Sequence, residues 1–190
     1  MARTIDLDHR AQLAAAVADH FVERGNVRAS LRDLSADVGA SARMLVHHFG
    51  TREQLVDAAL EIARERQIAV ASAAIVPGPD AVEVLQETWV WFRREDTRRY
   101  FVLFSDVAAL ERSAPARERR FTDRLGSEWR PLFERVFRAD ERFAADAAQL
   151  ALLVIGVLRG FALDLNDGAD PTGHEAAFRT LIDLIASRSE

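Results

Sequence analysis

Between Ser30 and Leu55 the chain reads SLRDLSADVGASARMLVHHFGTREQL, and this stretch restricts the fold more tightly than any other. Leu31, Leu34 and Val38 recur at helical spacing, which gives the opening helix of the stretch a single buried face. Gly39 suits the left-handed conformation that ends a helix, and Ser41 suits the cap of the next. The helix that follows, from about Ser41 to His47, offers Leu45 to the core and leaves Arg43, Met44 and His47 on other faces. Gly50 closes it, and Thr51 to Gln54 has capping-box spacing, with the Thr51 oxygen taking a backbone N–H and Gln54 reaching back. A helix, a glycine turn and a second short helix form the helix-turn-helix unit, whose second helix can enter a DNA major groove. The pattern implies a partner rather than a reaction.

The rest of the chain also reads as helix, without β-like alternation. A first helix over about Leu7 to Arg24 carries Leu13, Val17 and Phe21 at spacing four, and Gly25-Asn26 ends it. A fourth helix runs from the Thr51 cap through Leu55, Ala59 and Ile62 to about Ala74. Val76-Pro-Gly-Pro-Asp80 is the strongest break in the chain. Beyond it, helices are expected over about Asp80 to Arg94, Thr97 to Arg112, Pro115 to Ala139 and Glu141 to Asn166. Pro131 should kink or break the third of these, because it removes a backbone donor. Thr172 to Glu175 reads as a second capping box, opening a last helix that reaches about Ser187. The expected fold is therefore all-α. A three-helix DNA-binding domain covers residues 1–50, the fourth helix, about 51–74, connects, and residues 51–190 form a larger helical bundle for ligand binding and dimerisation.

Composition narrows the function classes. With no cysteine among 190 residues, disulfides, thiolate zinc sites and thiol catalysis are excluded. The N-terminal residues lack a signal-like apolar run, and the longest apolar stretch, Leu150 to Leu158, falls short of the roughly 20 residues that span a bilayer. No membrane partner and a cytoplasmic location are expected. Neither a glycine-rich phosphate loop nor a triad is apparent, so no enzyme and no cofactor are expected. His47 and His48 are adjacent, about 100° apart on a helix, so no metal site is expected there. The net charge is −5, and between Met1 and Arg66 acids and arginines nearly cancel. Any DNA contact must come from a few placed groups: Arg28, Arg32, Arg43, Arg52 and helix N-termini. Every basic residue is arginine, which suits bidentate phosphate and guanine contacts.

Leu34, Ser35, Val38, Gly39, Ser41, Leu45, His47, His48, Phe49, Thr51, Arg52, Glu53 and Leu55 together resemble the TetR family of transcriptional regulators. Family members commonly read alanine-glycine-valine-serine, three variable positions, leucine-tyrosine-histidine-histidine-phenylalanine, then a small residue, lysine and glutamate. Here VGAS, ARM, LVHHFG and TREQL stand in those places. The resemblance covers about the first third of the chain. Val46 stands where the family often has a phosphate-binding tyrosine, and Ala42 where a lysine or arginine is frequent. Arg52 matches the family's phosphate-binding lysine, and Arg43 can compensate for the missing contacts.

The resemblance implies a regulator that binds a palindromic double-stranded DNA operator as a homodimer. It would be a repressor released by a small apolar effector. Ser30, Ser41, Arg43, Met44, His47 and Arg52 are the expected DNA contacts. The effector cavity would lie between the fourth and eighth helices, lined by Trp89, Phe92, Phe104, Trp129 and Phe133, with Asp106 and Arg159 as polar anchors. Gly156 and Gly160 allow close helix approach. With Phe178, Leu181, Ile182 and Ile185 on the last helix they suggest a two-fold four-helix interface. The competing reading is a helical protein-interaction module whose helix-turn-helix is only structural. The near-neutral N-terminal charge, Ala42 and Val46 favour it.

Overall fold

The computed structural model describes residues 6–112 and 120–187. Among them the regular structure is helical: α1 Leu7–Arg24, α2 Leu31–Asp37, α3 Ala42–Phe49, α4 Arg52–Ala74, α5 Ala81–Phe92, α6 Glu95–Arg112, α7 Arg120–Ala139, α8 Ala147–Asn166 and α9 Pro171–Ala186. The chain divides into two compact units, Met1–Gln67 and Ile68–Glu190, and the division falls inside α4.

The first unit is built from short helices with explicit ends. Asp6 caps α1 by accepting the N–H groups of Asp8 and His9. Ser30 and Asp33 form a reciprocal capping box at α2. Ser41 caps α3, which runs two residues past the expected His47. Thr51 and Gln54 exchange the expected bonds, at 3.1 and 3.2 Å, ahead of α4. Gly39 turns the chain between α2 and α3 at φ +68°, where a side chain would be strained. Leu13, Val17, Phe21, Leu34, Leu45, Phe49 and Leu55 fill the core, which brings all four helices onto one apolar centre.

In the second unit α7 packs along α8, α6 also lies on α8, and α5 packs on α9. The start expected for the seventh helix, at Pro115, lies outside the described residues. Pro131 sits inside α7, which continues as helix on both sides instead of breaking. The lost backbone bond is offset because Trp129, Leu132, Phe133, Val136 and Phe137 of the same helix are all buried.

Two helix starts differ from expectation. α8 begins at Ala147, after a 3₁₀ turn over Ala144–Asp146, and not near Glu141. Asp140 explains the delay. Only 2% exposed, it accepts the Ala81 N–H at 2.9 Å and the Arg142 guanidinium at 2.6 Å, so the chain must turn there to hold the start of α5. The Arg142 hydrogen bonds keep the Asp140 carboxyl at about 2. α9 is capped by Asp170, with Pro171 in the first turn, and not by Thr172.

Ala144–Asn166 is also long and apolar enough to cross a membrane by length and composition. No unbroken apolar run marks it, because its apolar residues are spread over two faces of α8. Leu150, Val154, Leu158 and Leu165 are buried, while Leu152, Leu153 and Leu163 are exposed.

Candidate nucleic-acid interface

α3 presents one solvent face made of Arg43, Met44, Val46 and His47. The opposite face anchors the helix through Leu45, His48 and Phe49. Arg43 and His47 are four residues apart and stand on the same side of the helix. The Arg43 side chain makes no hydrogen bond or ion pair among the described residues, and the same holds for exposed Arg28 and Arg32. Three guanidiniums on the first unit therefore keep their donors available to an outside acceptor.

Other groups expected to meet DNA are already engaged. Ser41 Oγ accepts the Met44 N–H at 3.1 Å, which fixes the first turn of α3. Ser30 donates its hydroxyl and its backbone N–H to Asp33, at 2.6 and 3.1 Å. These two bonds hold the Asp33 carboxyl below its usual range. A phosphate could reach Ser30 only by displacing that carboxylate.

Arg52 is placed more tightly than the sequence reading expects. Its Nε donates to the Ala29 carbonyl at 2.8 Å and its Nη2 to the Val27 carbonyl at 2.6 Å. It therefore braces the segment before α2 against the start of α4, and most of its fork geometry is taken up inside the unit.

Two residues of α1 join the interface without any local signal in the sequence. Arg10 donates through Nε to the His48 carbonyl at 3.1 Å and lies over the Phe49 ring, 4.7 Å from its centroid. His9 Nε2 lies 3.4 Å from the Met44 sulfur, and its ring meets His48 edge-on. Both pairings span more than thirty residues, so no helical periodicity announces them. His48 itself is buried. Desolvation, then the neighbouring His9 and His47, hold its imidazole below the ordinary histidine pKa. Among the described residues no group of three or more histidines and carboxylates is arranged to hold a metal ion.

The candidate effector residues separate into two sets. Trp89, Phe92, Phe104, Trp129 and Phe133 are all buried. Four of them belong to one aromatic chain, with ring centroids 5.7 Å apart for Trp89–Phe92, 5.1 Å for Phe92–Phe101, 5.2 Å for Phe101–Trp129 and 6.5 Å for Trp129–Phe133. Asp106 and Arg159 are exposed on α6 and α8 and do not join that core. A helix with one buried stripe can carry a charge on its outer side at little cost, even in an apolar stretch.

The candidate dimer residues divide likewise. Gly156 and Gly160 are exposed, and a side-chain carbon added at either would meet nothing within 4 Å. Leu152, Leu153 and Leu163 flank them on the same outer face of α8. Phe178, Ile182 and Ile185 instead turn into the core of their own unit, and Leu181 is half-buried. The outer face of α9 is composed of Ala176, Ala177, Thr180 and Leu184.

No protein-family model matches the chain, and no curated protein matches it. Solved structures do. A TetR-family transcriptional regulator from Cytophaga hutchinsonii superposes with a TM-score of 0.78 at 16% identity, covering 98% of each chain. A TetR-family transcriptional regulator from Pseudomonas syringae pv. tomato superposes at 0.61 and 18% identity, covering 97% of each chain. AibR, in complex with isovaleryl coenzyme A and operator DNA, superposes at 0.54 and 14% identity, covering 92% of this chain and 97% of AibR.

Proposed function

We propose that this chain, which has the fold of the TetR-family regulators, is a DNA-binding transcriptional regulator. The observation that carries the reading is the α3 face: Arg43 and His47 stand exposed beside Met44 and Val46 on the second helix of a helix-turn-helix. Arg43 suits a guanine edge or a phosphate, and Val46 suits a thymine methyl group. The capped N-terminus of α3 adds a partial positive charge.

On this reading the protein acts as a homodimer on a palindromic operator and represses until a small apolar effector binds. A two-fold pair of helix-turn-helix units reads two half-sites, which one copy cannot do. The exposed Leu152, Leu153 and Leu163 around Gly156 and Gly160 support a closely packed contact with a second copy. The buried aromatic chain supports an apolar effector site in the second unit. α4 runs unbroken from Arg52 to Ala74 through both units, so effector and operator binding would be coupled and reciprocal.

Enrichment of random double-stranded DNA by the purified chain tests the reading. A palindromic motif bound with steep salt dependence is expected. Recovery of no motif at moderate salt would instead support the interaction-module reading, which the internal engagement of Ser30 and Arg52 favours.

A further inference from the structure

The second unit carries a groove of about 520 Å³ where the end of α5 meets the starts of α6 and α9 and the end of α8. Its lining has two characters. Trp89, Val90, Leu165 and Pro171 make an apolar wall, while Arg93, Arg94 and Arg98 bring three guanidiniums against the single carboxylate of Glu175. Arg94 is already paired with Asp96, at 2.7 and 3.1 Å. Arg93 meets Glu175 only at 3.4 Å, and Glu175 also receives Arg179 at 3.3 Å.

Arg98 differs from both. It is half-buried, and its side chain has no hydrogen bond or ion pair among the described residues. Its Nε is shut off from solvent without an acceptor, and so is Nε1 of Trp89, a residue only 7% exposed. One groove is thus lined by two residues with unmet buried N–H donors, one of them cationic. Unpaired buried donors are rare and unfavourable, and an isolated partly buried charge more so. No acceptor from the described chain supplies the need.

We propose that this groove binds a small amphipathic organic anion, its carboxylate or phosphate head at the arginines and its hydrocarbon body along Trp89, Val90, Leu165 and Pro171. A planar guanidinium gives an anionic oxygen pair charge-assisted hydrogen bonds, and the volume lies in the range of small-molecule sites. A bare inorganic ion would leave the apolar wall uncovered. The site differs from the effector cavity suggested by the core aromatics, and it does not rest on the DNA-binding reading.

Calorimetric titration of the full chain without DNA tests it, using octanoate, octyl phosphate, 1-octanol, octylammonium and sodium sulfate as probes. Octanoate or octyl phosphate should bind once per chain, roughly tenfold or more tighter than the neutral, cationic and inorganic probes. Whichever of the two binds more tightly identifies the head group. Arg98→Gln should weaken that binding about tenfold with an unchanged melting temperature, Arg98→Lys should weaken it less, and Arg159→Gln, on the outer face of α8, should leave it unchanged. Equal binding of 1-octanol and octanoate, sulfate binding as tightly as either anion, or undiminished binding by Arg98→Gln would overturn the proposal. DNA selection is a separate measurement, so the two readings fail independently.

Discussion

The two units handle their arginines in opposite ways. In the first, Arg28, Arg32 and Arg43 stand exposed with their donors uncommitted, around short helices held by caps at Asp6, Ser30 and Ser41. In the second, Arg99 pairs with Glu95, Arg130 and Arg138 share Glu134, and Arg142 bridges Asp140 and Asp80. Order there comes from long helices closing on an aromatic core. Exposed ion pairs add little stability, so their main effect is to neutralise the surface they cover. The unit left with free guanidiniums is the one suited to a polyanion. Arg98 stands apart within the second unit because it is half-buried and unpaired, which is why the groove around it matters.

This contrast can be broken most forcefully in the second unit. Phe133 is fully buried, and Phe133→Ala should destabilise it by about 3–5 kcal/mol. All three tryptophans, Trp89, Trp91 and Trp129, lie in that unit, so denaturant unfolding followed by their fluorescence reports on it. A loss below about 1 kcal/mol would mean that the aromatic chain surrounds a loose cavity rather than a packed core.

The next test sets two arginines of the first unit against each other. Arg52→Ala removes two charge-assisted bonds to carbonyls and should cost about 2 kcal/mol of stability, seen as faster amide exchange in α2 and α4. Arg43→Ala should change stability by less than about 0.5 kcal/mol yet weaken binding to a selected operator about tenfold or more. The opposite pattern, Arg52→Ala harming only DNA binding, would show that Arg52 is a phosphate contact after all.

The smallest expected effect is a pH slope. His48 has its folded pKa held below 6.5 by burial and by the two neighbouring histidines. The unfolded chain therefore takes up the proton first as pH falls through 6.5 toward that lower value, and the first unit loses stability across that window. Exchange protection in α3 should be higher at pH 7.5 than at 5.5, with the difference reduced in His48→Phe. Greater protection at the acidic pH would contradict the buried neutral imidazole.

Much of the first unit is legible because its determinants are local. The α1 limits, the Gly39 turn, the Ser41 cap and the Thr51–Gln54 box all act within four residues, so the sequence states them openly. The exposed α3 face follows from the same periodicity. The brace at Arg52 was not legible, because its acceptors lie 23 and 25 residues away and its charge looks the same either way. In the second unit, Pro131 and the start of α8 were misread for a related reason. A proline argues locally against helix, but the burial of its neighbours decides. Asp140 looks like any surface acid until it is found holding Ala81, 59 residues away.

The sequence by itself determined an all-α chain with a helix-turn-helix near its start, because capping and helical spacing operate within one or two turns. Only the tertiary structure decided which polar groups are free. It left Arg43 free to meet a partner, committed Ser30 and Arg52 internally, turned Asp106 and Arg159 to solvent, and left Arg98 and Trp89 with unmet donors in one groove. Hydrogen bonds depend on where distant segments meet, and a periodic pattern carries no record of that meeting.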